Sequence, residues 1–337
     1  MYPTCLTNRQ GPPAKRGKSN FEEYITEGNK AVFFKLCRTS EDLSNELVAF
    51  SPEMTHQVFG EKERIFGYKN LRIDVWYSAS TLQIYFDIKY DAKVDVKRDG
   101  IKADDLNKIF TELVQLPPGL MTDKEEFTRV LEAEHEFKPF GDLMHSYERE
   151  PQRKFEIYRF SPAKSDDETI SKFRKYHAKL QTFLLFFVDG ASYIDDEDNR
   201  WVYYVIYEHW KNSDGNDCYS VVGYQTVYMY YAFHSTIQEY TRPRISQVLI
   251  LPPYQRQQHC VEMLKSFYNE CMSNELIGDI TVEDPSENYQ RVRDFVDCTR
   301  ALESLSSYKP PHILTSWNSC FAEEAKMRLK MNKVRLL

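Results

Sequence analysis

Two neighbouring carboxylates and one helix start are the features of this chain whose residue types and spacing suit chemistry. Glu283 and Asp284 come directly after the short β-rich run 277–282. A carboxylate fixed at a strand end can accept a proton from a nucleophile, as a general base does. Upstream, the β-rich run 245–251 leads through residues 252–260 into helical spacing. A helix that begins there presents free N–H groups and a partial positive charge, which suit a pyrophosphate.

Other interpretations of the same residues compete with these. Asp284 is followed by Pro285 and Ser286, a pattern that is also typical of a helix N-cap with proline in the first turn. His259 beside Cys260 suggests a thiolate nucleophile, but neighbours at a helix start diverge by about 100°. We therefore predict that Cys260 packs the helix. The motifs GxxxxGK[ST], HExxH and GxSxG do not occur in the sequence.

The elements that position these residues follow from hydrophobic spacing. Short β-rich and polar helical runs alternate over residues 21–164, which indicates an α+β domain. Apolar residues at helical spacing predict one long helix over 168–188. Three β-type runs with short polar links, 201–207, 219–233 and 245–251, predict antiparallel pairing. The other predicted elements are strands at 71–77, 82–90, 155–160 and 277–282 and helices at 103–113, 124–136, 261–271, 284–305 and 316–337.

Composition narrows the class of protein. The 337 residues carry a formal charge of -7, and 42% of them are hydrophobic, which excludes disorder as the main state and argues against nucleic-acid binding by the folded part. Seven widely spread cysteines favour reduced thiols. No apolar run approaches the ~20 residues of a membrane helix, and no signal peptide is evident, so an intracellular protein is expected. The basic stretch of residues 1–20 favours a solvated tail over a nuclear address.

Eight segments of this sequence resemble the GCN5-related N-acetyltransferases, and within them the type B histone acetyltransferases. They occur in the family's order from about residue 27 to the end. The segments are THQVFG at 55–60, FGYK at 66–69, FKPFG at 137–141, LQTFL at 180–184, GYQTVY at 223–228, TRPRISQ at 241–247, DITVEDPS at 279–286 and RDFV at 293–296.

The resemblance implies an α+β fold, the GCN5-related N-acetyltransferase fold. Its central sheet is mixed and largely antiparallel and is flanked by helices, with an N-terminal α+β domain and a C-terminal helical extension. We expect a disordered basic tail over residues 1–24, the N-terminal domain over 25–168, an acetyl-CoA-binding acetyltransferase domain over 169–285, and the extension over 286–337.

The resemblance also implies a reaction: transfer of acetyl from acetyl-CoA to lysine amines in the N-terminal tail of newly synthesised, free histone H4, with no metal. A lysine ammonium has a pKa near ~10.4, so it must lose a proton before it attacks a thioester. Glu283 matches the family's general base, and Asp284 and Asp189 match its acidic neighbours. The family has glutamate where this chain has Asp189, and the shorter side chain retracts the carboxylate by about 1 Å, which is expected to weaken a proton relay.

The cofactor loop departs from the family signature Gln-x-x-Gly-x-Gly/Ala. Gln255 is kept, whereas Gln258 replaces the central glycine and Cys260 the last small residue. A side chain at Gln258 is expected to obstruct the pyrophosphate, and Arg256 is expected to compensate through charge-assisted bonds. The residues expected to bind the cofactor are Val248, Leu249, Ile250, Gln255, Arg256, Gln257, Gln258, His259, Cys260 and Asn288.

A basic histone tail suits an acidic and aromatic groove. The candidates that the resemblance raises are Glu61, Lys62, Glu63, Trp201, Tyr228, Met229 and Tyr230. The acidic run 195–198 equally fits a solvated loop, and the alternating tyrosines equally fit sheet packing.

The implied partners are the histone H4 tail, together with histone H3, and a WD-repeat histone-binding chaperone subunit, without direct nucleic-acid or membrane contact. The implied localisation is nucleus and cytoplasm. An alternative function follows from the altered loop: a cofactor-impaired, histone-binding subunit or scaffold.

Overall fold

The computed structural model describes residues 21–150, 152–234, 238–305 and 319–331. Residues 1–20 of the predicted basic tail and much of the predicted last helix lie outside these ranges. The strands are β1 (Ile25–Glu27), β2 (Val32–Cys37), β3 (Arg64–Phe66), β4 (Tyr68–Lys69), β5 (Arg72–Ser78), β6 (Ile84–Lys89), β7 (Ala92–Lys93), β8 (Asp142–Arg149), β9 (Arg153–Phe160), β10 (Trp201–Lys211), β11 (Asp217–His234), β12 (Gln238–Ile250) and β13 (Thr281–Val282).

Ten α-helical segments occur in the described ranges, several of them a single turn. They are α1 (Gly28–Ala31), α2 (His56–Phe59), α3 (Val96–Asp99), α4 (Leu106–Lys108), α5 (Lys124–Glu132), α6 (Asp167–Gln181), α7 (Leu184–Phe187), α8 (His259–Ser273), α9 (Glu287–Ser304) and α10 (Ser319–Leu329). A π-helical turn, Ile109–Leu113, continues α4, and short 3₁₀ turns include Glu134–Glu136 and Pro252–Tyr254.

One six-stranded sheet, in the order β13-β12-β11-β10-β9-β8, is the frame of the molecule. Neighbouring strands pair antiparallel from β8 to β12, and β12 pairs with β13 in parallel. The expected mixed, largely antiparallel sheet flanked by helices is therefore confirmed. Strands from both sides of the predicted domain boundary at residue 168 belong to this sheet.

Helices α6 and α8 cover opposite faces of that sheet. Successive side chains of a strand point to opposite faces, and Tyr203 and Tyr204 of β10 show this directly. The Tyr203 ring lies 4.7 Å from the ring of Phe173 on α6, whereas the Tyr204 ring lies 5.6 Å from the ring of Phe267 on α8. Both tyrosines are buried, so each face of the sheet contributes to the core.

A second, three-stranded sheet, β2-β5-β6, packs against α7. Phe34 of β2 contacts the rings of Phe183, Phe186 and Phe187 at centroid distances of 5.8, 5.1 and 5.5 Å. A backbone hydrogen bond from Val221 N–H to the carbonyl of Ala79 joins the two sheets at 2.8 Å. The N-terminal part and the six-stranded part therefore share one continuous core.

The predicted helix over 168–188 is interrupted, so that expectation was wrong in its length. α6 ends at Gln181 and α7 begins at Leu184. The Thr182 hydroxyl donates to the Lys179 carbonyl at 2.6 Å and also lies 2.6 Å from the Tyr77 hydroxyl. These bonds satisfy the end of α6 and turn the chain there.

Candidate functional site

The predicted base, Glu283, lies where β12 and β13 separate. The parallel pairing covers Arg244 with Thr281 and Ile245 with Val282, and the Glu283 N–H donates to the Ile245 carbonyl at 2.9 Å. The Glu283 side chain is 43% exposed. Its carboxylate is therefore anchored through its backbone at the point where the two strands separate, and it remains accessible from solvent.

A β-bulge in β12 aims a hydroxyl at this carboxylate. Gln247 pairs with Thr226 and Ile245 pairs with Val227, so Ser246 is an extra residue without a partner on β11. Its Oγ donates to Glu283 Oε2 at 2.7 Å. On the other side, an Nη of Arg244 lies 3.7 Å from Glu283 Oε1. The bulge thus orients the carboxylate.

The structure gives Asp284 no capping role, which corrects the expectation that it is the N-cap of the following helix. Ser286 is the N-cap of α9, and its Oγ accepts from the Tyr289 N–H at 3.3 Å. Asp284 is exposed and has a φ of 32°. A non-glycine residue in this region of φ is uncommon and is worth a functional explanation. Asp284 directly follows Glu283, so it remains a candidate for charge support.

Asp189 lies just after α7 and is paired with a histidine of the N-terminal part. Its Oδ1 is 3.0 Å from His56 Nε2, and its side chain is 76% exposed. Three residues further on, the Ser192 carbonyl accepts from Gln247 Nε2 at 2.8 Å. The segment that carries Asp189 is therefore joined to β12 beside the bulge.

The turn before α8 contains no glycine, yet two of its residues have the left-handed backbone conformation that glycine favours. Arg256 and Gln258 have φ of 61° and 64°, in the left-handed region that costs a residue with a Cβ about 1–2 kcal/mol. Both side chains are exposed. Gln255 Nε2 donates to the Ile250 carbonyl at 3.0 Å, which closes the turn. The loop therefore keeps its shape without glycine.

A cluster of charged side chains supports this turn through hydrogen bonds to Gln257 and Tyr254. Arg149 Nε donates to the Gln257 carbonyl at 3.2 Å, and Arg153 Nη1 lies 3.4 Å from Gln257 Oε1. Arg153 also forms a two-point bond to Glu208, at 2.7 and 2.6 Å. Arg38 donates to the same carboxylate and, at 2.8 Å, to the Tyr254 hydroxyl.

Glu208 is the centre of that cluster, with only 5% of its side chain exposed. Burial by itself raises the pKa of Glu208, but the hydrogen bonds and charges of Arg153 and Arg38 outweigh it and hold the pKa below its ordinary value. Glu208 is therefore charged at neutral pH and ties β10 to the turn that precedes α8.

His259 and Cys260 were expected to bind the cofactor, and the structure directs the His259 ring into the protein. His259 is buried, and its Nδ1 forms a hydrogen bond of 2.8 Å with the Tyr147 hydroxyl. Burial lowers the pKa of His259 to about 4, and the nearby Arg149 and Arg153 add to that effect. Burial also raises the pKa of the Cys260 thiol to about 12. The half-buried Cys260 thiol is therefore protonated at neutral pH, and its role as a helix-packing residue stays a prediction.

The neutral His259 makes stability depend on pH. In the unfolded chain its pKa is near 6.5, so between about pH 6.5 and 4 the unfolded state binds a proton that the folded state does not. We expect the His259 contribution to be complete above pH 6.5 and to fall by about 3 kcal/mol as the pH drops to 4.

Urea denaturation of the wild-type protein and of His259→Phe, at several pH values, checks this. Buried His177 has a lowered pKa and acts in the same direction, so the difference between the two proteins is the relevant quantity. That difference should change between pH 6.5 and 4; a constant difference would contradict a neutral, buried His259.

Three of the tail-contact candidates form one aromatic group. The Trp201 and Tyr228 rings, which face each other across β10 and β11, have centroids 4.9 Å apart, and Tyr230 lies 4.6 Å from Tyr228. The Arg244 guanidinium lies 6.0 Å from the centre of the Tyr230 ring. Since Arg244 also approaches Glu283, this aromatic group borders the candidate base.

The acidic run next to these rings is largely occupied by local partners. Asp198 holds Arg200 at 2.6 Å and accepts from the Tyr228 hydroxyl at 2.8 Å. Asp195 accepts from the Glu197 N–H at 3.2 Å, and Asp196 Oδ2 lies 3.7 Å from His177 Nδ1. These contacts favour the interpretation of the run as a folded loop. Of the other candidates, Glu61 and Lys62 are exposed and Met229 is half-buried.

The remaining cofactor candidates lie along the open side of β12. Past Ile245 no described strand pairs with that edge. Val248 and Ile250 are half-buried and Leu249 is buried, opposite Gln225, Gly223 and Tyr224 of β11. Asn288 is exposed in the first turn of α9.

Several residues of this arrangement were missed at the level of sequence. The contacts of Ser246, His56 and Glu208 all join distant segments, so no local spacing reveals them. The local signals are the THQVFG segment, which contains His56, and the TRPRISQ segment, which contains Ser246; both were recognised without a role for these two residues. In the described part of the chain, no group of three His, Cys, Asp or Glu side chains suits a metal ion, and no helix is long and apolar enough to cross a membrane.

The family models and the relatives that match this chain are all described as histone acetyltransferases. Residues 24–189 match the family model described as "Histone acetyl transferase HAT1 N-terminus", and residues 293–336 match "Histone acetyltransferase type B catalytic subunit, C-terminal". Histone acetyltransferase type B catalytic subunits of Rattus norvegicus and Homo sapiens are 40% and 39% identical to this chain over 92% of it, and each match covers 72% of the relative. A Dictyostelium discoideum protein of the same description is 34% identical, over 86% of this chain and 61% of that protein.

Solved structures give weaker likenesses. Arabidopsis thaliana NAA60 in complex with acetyl-CoA covers 42% of this chain and 81% of its own, with 8% identity and a TM-score of 0.29. Glucosamine-6-phosphate N-acetyltransferase from Arabidopsis thaliana covers 41% and 90%, with 16% identity and a TM-score of 0.27.

Proposed function

The chain belongs to the family of histone acetyltransferase type B catalytic subunits, and on that premise we propose that it transfers acetyl from acetyl-CoA to lysine amines in the N-terminal tail of free, newly synthesised histone H4. An acetyltransferase with histone substrates is what the family establishes. The choice of H4, the co-substrate and the use of a carboxylate base are the proposal.

The observation that carries the proposal is the Glu283 carboxylate, held by Ser246 where β12 and β13 part. In the proposed reaction Glu283 accepts a proton from the lysine ammonium, and the free amine then attacks the thioester carbonyl. The N–C bond forms, the C–S bond breaks, the nitrogen loses its second proton as it becomes an amide, and the departing thiolate of CoA takes up that proton. Because Ser246 donates at 2.7 Å, the carboxylate is oriented before the substrate arrives. Asp284 and Asp189 are proposed as its charge support.

Acetyl-CoA is proposed to lie along the open edge of β12, with its pyrophosphate at the start of α8. Residues 248–250 provide unpaired strand edge for the acetyl and pantetheine arm. N–H groups of the first turn of α8 lack partners within the helix, and these donors do not depend on the side chain. The exposed Arg256 supplies a mobile positive charge there, and Asn288 lies at the start of the neighbouring helix. Because the His259 side chain is buried, His259 is proposed to contact the cofactor only through its backbone.

The histone tail is proposed to cross the aromatic group of Trp201, Tyr228 and Tyr230 on its way to Glu283. Aromatic faces attract the cationic side chains of a basic tail. Glu61, Lys62, Glu63 and Met229 are proposed as further contacts. A partnership with histone H3 and a WD-repeat chaperone, and a place in nucleus and cytoplasm, are proposed from family membership alone.

A scaffold that holds histones without turnover is the second candidate, and the side chains at Arg256 and Gln258 favour it. A calorimetric titration with acetyl-CoA separates the two. We expect the wild-type protein to bind, and Gln258→Gly to change the dissociation constant by less than about tenfold, because the loop already has the required backbone.

The opposite pattern would support the scaffold. In that case the wild-type protein gives no heat of binding, and Gln258→Gly restores it, since removal of the side chain opens the approach to the pyrophosphate. Arg98→Ala, an exposed arginine on α3, is the control that should bind as the wild-type protein does.

A further inference from the structure

The segment Thr55–Gly60 is recognised in the sequence but has no part in the reaction described so far, and one of its residues, His56, contacts Asp189. Glu63 stabilises the start of this segment through backbone hydrogen bonds. Glu63 Oε1 accepts from the N–H groups of Thr55 and His56 at 2.6 and 3.1 Å, and Asn29 Nδ2 donates to Oε2 at 3.3 Å. The Thr55 hydroxyl donates to Asn29 Oδ1 at 2.6 Å, and Thr55 is fully buried. The segment is thus a rigid element.

The same segment and the two residues before it donate hydrogen bonds to carbonyls at the end of α7. The last carbonyls of a helix have no partner within it. Gln57 Nε2 donates to the carbonyls of Leu185 and Val188 at 3.3 and 3.0 Å. The N–H groups of Glu53 and Met54 donate to the Phe186 carbonyl at 3.0 and 3.2 Å. Asp189 follows directly, so its backbone has a fixed position relative to His56.

His56 then fixes the side chain. His56 Nε2 lies 3.0 Å from Asp189 Oδ1, while His56 Nδ1 is 3.9 Å from Glu63 Oε1. The Asp189 side chain is 76% exposed, so without this contact it would sample several rotamers. The His56 side chain is only 33% exposed and is carried by the rigid turn. The exposed pair adds little to stability, and its effect is one of orientation.

We propose that His56 is a positioning residue that holds the Asp189 carboxylate in one orientation at the active site. The path from Asp189 to the base is short: the Ser192 carbonyl bonds Gln247, and the adjacent Ser246 bonds Glu283. In this arrangement the N-terminal part of the chain contributes His56 to the catalytic site. The inference rests on the proposed acetyltransfer and on a supporting role for Asp189.

The test is a double-mutant cycle with separate measurement of kcat, KM for acetyl-CoA and KM for a free histone H4 tail peptide. We expect His56→Ala and Asp189→Ala each to lower kcat about five- to tenfold, with KM for acetyl-CoA unchanged within about twofold. The double variant should be no slower than either single variant, because both remove the same interaction.

Two further variants distinguish a role of His56 in orienting the Asp189 carboxylate from a role in the stability of the fold. His56→Gln presents an amide N–H near the position of Nε2 and should retain kcat within about threefold, whereas the shorter His56→Asn should behave like His56→Ala. His135→Ala, a half-buried histidine on the 3₁₀ turn Glu134–Glu136, is the matched control and should match the wild-type protein in kcat.

Additive losses in the double variant, a wild-type kcat in His56→Ala, or an equal loss in His56→Gln and His56→Ala would each overturn the role of His56. These outcomes are distinct from a failure of the proposed function, in which the wild-type protein itself yields no acetylated peptide.

Discussion

Glu283→Gln is expected to lower kcat by about 10²–10⁴, the range typical of general-base loss, while acetyl-CoA binding changes little. Glutamine keeps the shape of the side chain and can still contact Ser246, but it does not accept a proton from the lysine ammonium. At neutral pH most of the lysine remains protonated, with a pKa near ~10.4, so the reactive amine becomes scarce. The measurement is steady-state kinetics on a histone H4 tail peptide, alongside a calorimetric titration with acetyl-CoA.

The matched control is Glu287→Gln. Glu287 lies in the first turn of α9, four positions after Glu283, and its side chain is 88% exposed and paired with Arg291. It should show wild-type kinetics. If Glu283→Gln retains kcat within a few-fold of the wild-type value, Glu283 is not the base.

The second large effect concerns stability. Glu208→Ala is expected to lower the free energy of unfolding by about 2–3 kcal/mol, because it leaves two guanidiniums without their shared carboxylate. Breaking a fully buried ion pair costs about 3–5 kcal/mol, and the smaller figure reflects partial access of water to the arginines. Arg38 and Arg153 are 31% and 30% exposed. Urea denaturation at pH 7 measures the change.

Glu168→Ala is the control for this prediction. Glu168 pairs with Lys172 one helical turn away, and the two side chains are 77% and 63% exposed. Exposed pairs of this kind contribute about 0.3–0.5 kcal/mol, so the loss should be small. Equal losses in the two variants would show that the cluster around Glu208 does not brace the fold.

Strands with a buried face were predictable from the sequence, and strands without one were not. β5, β6, β9, β10 and β11 follow runs of β-branched and aromatic residues and lie close to their expected positions, whereas β12 begins at Gln238, seven residues before its expected start. β8 was missed because most of its side chains are exposed and its sequence, DLMHSYER, shows no alternation. It is the edge strand of the six-stranded sheet, so one side of it lacks a neighbour that would shape its sequence.

In the candidate site, too, some features were predictable from the sequence and others were not. The positions of Glu283 at a strand end and of the start of α8 were predictable because their signals are local: a carboxylate after a strand and a strand that leads into a helix. The role of Glu283 as a base comes from the resemblance and stays a prediction. The cap of α9 was misplaced by two residues, since Asp284 and Ser286 are both good cap residues and only the backbone distinguishes them. The bulge at Ser246 and the contacts of His56 with Asp189 depend on register and on packing between distant segments. No spacing in one sequence reports these.

The most direct test of the account is mass spectrometry of a free histone H4 tail peptide after incubation with the purified protein and acetyl-CoA, with Glu283→Gln beside it. We expect acetyl groups on tail lysines with the wild-type protein and a strongly reduced amount with the variant. Absence of acetylated peptide from the wild-type reaction, under conditions in which the protein is folded, would contradict the proposed acetyltransferase.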